Sequence, residues 1–185
     1  MLQSLTTRPS RKLEKPKMDY LIRPAQKSDA REISEIYRYY VLNTAITFDT
    51  AAPEAEEFKE KIAEIQKDYP FLVIEEEGRV TAFAYAHAYK SKAAYDPTVE
   101  LTVYTDHTLL GKGRGRAIIL SLLEELKKDP RRYTAVADIT SPNERSEKMF
   151  LSLGFEKVSK FKNVGYKFGK WQTVCDYIYP LKDYQ

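Results

Sequence analysis

Residues 98–128 read TVELTVYTDHTLLGKGRGRAIILSLLEELKK. The opening run, Thr98–Thr105, is β-branched and aromatic, which predicts a strand. The closing run has helical apolar spacing as far as Lys128. Between them Gly111, Gly113 and Gly115 alternate with Lys112, Arg114 and Arg116. A glycine in a helix costs about 1 kcal/mol relative to alanine, so three in one turn need a reason. The first four N–H groups of a helix have no partner within it, and together they carry about half a positive charge. Glycine lets an anion reach them because it has no Cβ. The stretch therefore predicts strand, anion-binding turn and helix. A solvated basic helix start is the alternative reading of the same residues.

Working outward, YTAVADI (Tyr133–Ile139) predicts a further strand, and SPNERSEKMFLSLGF predicts a helix closed by Gly154 at its C′ position. Upstream, DYLIRPA is a short strand. Ser28 or Asp29 is placed to cap a helix running to Asn43, and Pro53 to start a second one ending near Lys67. PFLVIEEEGRVTAFAYAHAY reads as a hairpin turning at Glu76-Glu77-Gly78. The C-terminal part reads as two strands joined by NVGYKFGKWQ. The order β-α-α-β-β-β-α-β-α-β-β predicts an α/β fold: a central twisted mixed sheet of about seven strands with about four helices.

The chain has 185 residues, enough for one domain with a full core. Its hydrophobic fraction of 43% and charged fraction of 31% are those of a soluble globular protein. No apolar run approaches the ~18–20 residues that span a bilayer, so no membrane role is expected. A net charge of +3 is too small to argue for nucleic acid. One cysteine, Cys175, excludes an internal disulfide and paired-cysteine metal sites; with only His87 and His107 as histidines, no metal is expected. A reducing, cytoplasmic setting fits. Residues 1–17, MLQSLTTRPSRKLEKPK, carry five cations against Glu14 and read as a basic flexible tail or an extension ahead of a start at Met18; a targeting segment is the alternative, which Pro9 and Pro16 oppose by breaking any amphipathic helix. Residues 18–185 read as a single domain.

GxxxxGK[ST] is absent, so the turn is not a nucleotide P-loop, and GxGxxG does not match either. The whole pattern is more telling. A strand, an x-x-G-x-G turn, a helix, a strand and then NERSEKMFLSLGF resembles the GNAT N-acetyltransferase superfamily. TFDTAAPEAEEF, DYPFLVIEEEGRVTAFAYA, YKSKAAYDPTVELTVYT and GYKFGKWQTV resemble its phosphinothricin acetyltransferase branch, from Tyr20 to Leu181. That resemblance implies the GNAT fold, acetyl-CoA as co-substrate and transfer of acetyl to the α-amine of a small amino acid or analogue, such as phosphinothricin or methionine sulfone and sulfoximine. It also implies a homodimer.

It further implies roles. Gly111, Lys112, Gly113, Arg114, Gly115 and Arg116 would hold the pyrophosphate of acetyl-CoA, with Asn143 and Ser146 completing that half. Val103, Tyr104 and Thr105 would meet the pantetheine, with N–H groups near Val103 stabilising the oxyanion. Glu100 would be the general base; an exposed, alternating strand residue is the alternative. Phe48, Lys90, Lys92 and Tyr95 would recognise the substrate, against a core phenylalanine and a solvated loop. Phe150 stands where relatives offer a tyrosine or histidine, and a phenyl ring has no proton to give. His87 is expected to pack on its strand and His107 in its loop. Two other functions remain open on sequence: a non-catalytic acyl-CoA or nucleic-acid-binding module, and an N-acetyltransferase for protein or peptide amines.

Overall fold

The computed structural model of the protein describes residues 20–184; the tail expected over residues 1–17 lies outside them. Strand β1 (Leu21–Pro24) leads to helix α1 (Ala30–Asn43) and helix α2 (Ala55–Ile65). Strands β2 (Phe71–Glu76), β3 (Arg79–Ala88) and β4 (Thr98–Thr105) follow, then helix α3 (Arg114–Lys128), strand β5 (Thr134–Ser141) and helix α4 (Glu144–Ser152). Strands β6 (Glu156–Lys157), β7 (Phe161–Lys167) and β8 (Lys170–Pro180) close the described chain.

These strands form one sheet in the order β1-β2-β3-β4-β5-β8-β6, with β7 also paired to β8. It has eight strands, one more than the sequence predicts, because the two-residue β6 is too short to show a pattern of its own. The direction is mixed, since β4 and β5 run parallel and the other pairs antiparallel.

Two cores lie on opposite faces. On one, α3 and α4 bury Ile118, Ile119, Leu122, Leu123, Leu126 and Phe150 against Ala84, Ala86, Val99, Leu101 and Ala137. On the other, α1 and α2 bury Ile33, Tyr37, Phe58 and Ile62 against Val73, Phe83 and Tyr85. The period-two alternation along β3 and β4 divides their side chains between these faces.

Local differences from the sequence reading have physical causes. The Asp29 side chain does not cap α1; its carboxylate accepts from Gln26 N–H and from both ends of the Arg23 guanidinium. Helix α2 begins at Ala55, where Glu54 and Glu57 form a reciprocal capping box. The last hairpin turns only at Phe168-Gly169, with φ of 52° and 71°. Two successive left-handed residues match the twist of the flanking strands, so β7 and β8 extend through most of the segment expected to be loop.

One departure from regular pairing organises the rest. β4 pairs with β3 from Val99 to Thr105 but with β5 only over Thr98–Glu100. Beyond Glu100 the parallel neighbours separate, and the β5 side of Leu101–Thr105 has no strand partner.

Candidate active site

The first cleft opens at the start of α3 and has a volume of about 660 Å³. Asp106 accepts the Thr108 N–H and hydroxyl, fixing the turn that enters it. Gly111 and Gly113 have φ of 79° and 80°, a left-handed conformation that costs other residues roughly 1 kcal/mol or more. Gly113 is the N-cap of α3, and no side chain caps the helix. A Cβ on Gly111 would meet nothing within 4 Å, so the space before the helix is open. Gly115 serves close packing: its Cβ would come within 3.3 Å of Met149 Sδ on α4. Bare N–H groups at a helix start, beside open space, suit a phosphate.

The basic residues of this turn are not equivalent. Arg116 lines the cleft, whereas Lys112 is exposed and does not. The Arg114 side chain is buried and paired with Glu76 on β2, its Nε donating at 3.1 Å. Its guanidinium is held by Glu76, and what Arg114 offers the cleft it lines is its N–H. Asn143 caps α4 through Oδ1, which accepts from Ser146 N–H at 3.4 Å. Arg145 adds a cation to the wall.

A second cleft, of about 480 Å³, lies on the α1–α2 side of the sheet. Glu100, Thr102, His87, Asp138, Phe150, Phe48 and Asp49 line it. Ile46, Val103, Tyr104, Asn143 and Ser146 line both clefts, so the two meet at the split between β4 and β5. The sequence-predicted residues Glu100, Val103, Tyr104, Thr105, Asn143 and Ser146 are thus gathered around one passage.

Glu100 is partly buried, and burial, followed by the charge of Asp176, raises its pKa above the ordinary carboxylate range. His87 faces it across the β3–β4 register, with Nε2 3.8 Å from Glu100 Oε1. Its Nδ1 lies 3.0 Å from the Ala88 carbonyl, which favours a proton on Nδ1 and leaves Nε2 bare. Burial lowers the His87 pKa, and the charge of Lys61 lowers it further. The sequence reading gave His87 only strand packing; its place beside Glu100 comes from pairing in register across a loop.

The Tyr104 ring packs against Tyr37 at 4.9 Å and Tyr40 at 5.0 Å, and burial pushes its phenol pKa well up. It therefore stays neutral at working pH. The Tyr37 hydroxyl bonds Thr47 Oγ1 at 2.6 Å and donates to Asp49 at 2.8 Å, and Lys167 Nζ donates to the Thr47 carbonyl. These bonds hold the loop between α1 and α2, on which Phe48 stands. Phe48 lines the cleft and packs over Gly165 of β7, where any Cβ would lie 2.3 Å from the ring. Lys90, Lys92 and Tyr95 line neither cleft. Lys90 lies over the rings of Tyr89 and Tyr95 at 4.6 and 5.0 Å on the exposed β3–β4 connection.

Known proteins share this fold. The family model described as "Acetyltransferase (GNAT) domain" matches residues 22–173. The chain belongs to the GNAT acetyltransferase family. It is 36% identical over 154 residues to the L-amino acid N-acyltransferase MnaT of Escherichia coli, covering 81% of this chain and 87% of that protein. It is 33% identical to a phosphinothricin N-acetyltransferase of Streptomyces viridochromogenes, over 83% of each chain. Among solved structures, a GNAT phosphinothricin acetyltransferase of Sinorhizobium meliloti in complex with acetyl-CoA has a TM-score of 0.84 at 31% identity, over 88% of this chain and 89% of that one. An acetyltransferase of Salmonella typhimurium with acetyl-CoA has a TM-score of 0.87 at 32% identity, over 90% and 96%. This GNAT chain is accordingly an N-acetyltransferase.

Proposed function

We propose that this enzyme transfers acetyl from acetyl-CoA to the α-amine of a small amino acid or analogue, of the kind represented by phosphinothricin, methionine sulfone and methionine sulfoximine. The names of the relatives support that substrate class. The observation that carries the reading is the meeting of two clefts at a strand split beside Glu100, one suited to a phosphate and the other lined by a raised carboxylate.

Acetyl-CoA would supply an acetyl group already activated as a thioester. The residues of the first cleft fit it: N–H groups from Gly111 to Arg116 and the Arg116 side chain for the pyrophosphate, with Asn143 and Ser146 on the opposite wall. Backbone groups of Val103–Thr105, freed from β5, would hold the pantetheine arm and polarise the thioester oxygen. Glu100 takes a proton from the acceptor ammonium, through a water, and leaves a nucleophilic amine. Phe150 walls the passage without a proton to give. The reaction runs on one domain over residues 18–185, in a homodimer in the reducing cytoplasm; the exposed aromatic residues of β7 and β8, Phe161, Tyr166 and Trp171, support an interface there.

The test is a panel of amines offered with acetyl-CoA and read by release of free thiol. Turnover with methionine sulfone, methionine sulfoximine or phosphinothricin, and none with peptide amines, is the expected result. Turnover confined to peptides would replace the substrate class. A protein that binds CoA and turns over no amine would replace the enzyme with a binding module.

A further inference from the structure

Two carboxylates beside the acceptor cleft have no part in the chemistry above. Asp138 lies on β5 and Asp176 on β8, and the antiparallel register sets them directly opposite. Such residues share a face with their Cβ atoms about 4.5–5.5 Å apart, where like charges destabilise the pair. Aspartate is also depleted in strands. Among the described residues neither side chain forms an ion pair. The fold therefore carries an arrangement that sets two like charges opposite each other without an ion pair to offset them.

Its place suggests what it does. Glu100 pairs with Val136, so Asp138 stands one pleat further along β5 on the same face. That point is where β4 has left its neighbour. Glu100 and Asp138 both line the cleft, and Asp176 backs Asp138 from the next strand. His87 faces Glu100 from β3, and Lys61 of α2 and Asp49 of the α1–α2 loop face the cleft from the other side. Lys90, on the exposed connection, is a cation whose charge reaches Asp138.

We propose that Asp138 is a positioning residue for the transfer: acting through Glu100, and backed by Asp176, it stores the proton that Glu100 removes from the acceptor. The inference rests on the reading of Glu100 as the base. The protons balance. The acceptor ammonium gives one proton to the Glu100 carboxylate and becomes the free amine. That proton passes to the Asp138 carboxylate, and Glu100 is again an anion. The nitrogen–carbon bond forms, the carbon–sulfur bond breaks, and the second nitrogen proton goes to the leaving sulfur. Asp138 returns its proton to solvent through the open cleft.

The electrostatics agree. Enclosure by the cleft walls, then the charges of Glu100 and Asp176, push the Asp138 pKa up to about 7. Asp138 is itself accessible in the cleft, so water screens those charges until an acceptor displaces it. A proton store works best with an affinity near the operating pH.

The experiment combines ¹³C NMR of aspartate-labelled enzyme with pH profiles of Asp138→Asn, Asp176→Asn and Glu100→Gln. An aspartate carboxyl titrating near pH 7 should appear in the wild type, vanish in Asp138→Asn and move down in Asp176→Asn. The wild-type rate should carry an ascending limb near pH 7 owed to Asp138, and Asp138→Asn should lack it. Its kcat should fall about tenfold or more, with KM and CoA affinity nearly unchanged. Aspartate signals that all titrate below about pH 5 would overturn the proposal, even if the Asn variant failed to fold. So would an Asp138→Asn profile that superimposes on the wild type while Glu100→Gln is inactive. Full turnover by Glu100→Gln would instead overturn the reading of Glu100 as base.

Discussion

Glu100 has an ordinary side chain in an uncommon position. Its strand neighbours Val99 and Leu101 are buried in the α3 core, which turns Glu100 to the opposite face. There it is partly buried, and its carboxyl pKa rises through burial first and Asp176 second. The sign for catalysis follows. Below that raised pKa the carboxyl is protonated and takes no further proton, so activity climbs as pH rises through it. Glu100→Gln keeps the shape and removes the carboxylate proposed as the base. It should leave CoA affinity unchanged and lower turnover by ~10²–10⁴, with a smaller loss at high pH where more acceptor amine is already neutral. Isothermal titration with CoA and thiol-release kinetics check both halves. Wild-type rates at neutral pH would make Glu100 structural.

The glycine-rich entry to α3 makes its prediction as an element. Gly113 is the N-cap at φ 80°, and the helix start it opens has no side-chain cap. Gly113→Val would put a β-branched side chain into a left-handed conformation and into the approach of the anion. CoA affinity should fall tenfold or more, about 1.4 kcal/mol, with the fold retained by circular dichroism. A folded variant with unchanged affinity would remove the turn from the site. Most elements like this one were legible, because strands and helices are written locally in β-branched runs, helical spacing and turn glycines. The sequence also pointed to Glu100 and the glycine turn through a motif of contiguous residues. What it did not contain is register. The split of β4 from β5, the pairing of Arg114 with Glu76 and the meeting of Asp138 with Asp176 each involve residues 36 or more apart. An aspartate in alternation along a strand reads as a solvated face until its cross-strand neighbour is known. Lys90 and Lys92 show the same limit from the other side: close to β4 in sequence, they line neither cleft.

At the scale of the whole molecule, these carboxyls set how stability depends on pH. Two groups of them pull in opposite directions. Glu147 is held down to about 2, first by the Asn143 N–H and then by the Tyr177 and Ser141 hydroxyls, with burial opposing. Asp29 is lowered against burial by Arg23 and the Gln26 N–H. Stability from these two is present above the ordinary carboxylate range and is lost as pH falls through their depressed values. His87, lowered by burial, likewise binds a proton less readily when folded, so its effect on stability improves as pH rises to about 6.5. Asp138 and Glu100 are raised, and the folded state binds their protons more tightly. Their contribution is fully present below about pH 4 and is lost as pH rises, for Asp138 through about 7. The two trends together predict a melting temperature that peaks at about pH 4.5–5 and declines as pH rises toward about 7. Asp138→Asn removes much of the second trend. It should differ least from the wild type at about pH 4, where Asp138 is protonated in both folded and unfolded states and resembles the amide, and gain on it steadily up to pH 8, where the wild type carries a repelled anion. Calorimetric melting of both proteins from pH 4 to 8.5 makes the comparison. Parallel curves over that range would mean that Asp138 ionises without cost in the folded protein. An enzyme that is less stable at pH 8 because of Asp138, and faster there because of it, would be using fold stability to keep a proton acceptor at the acceptor cleft.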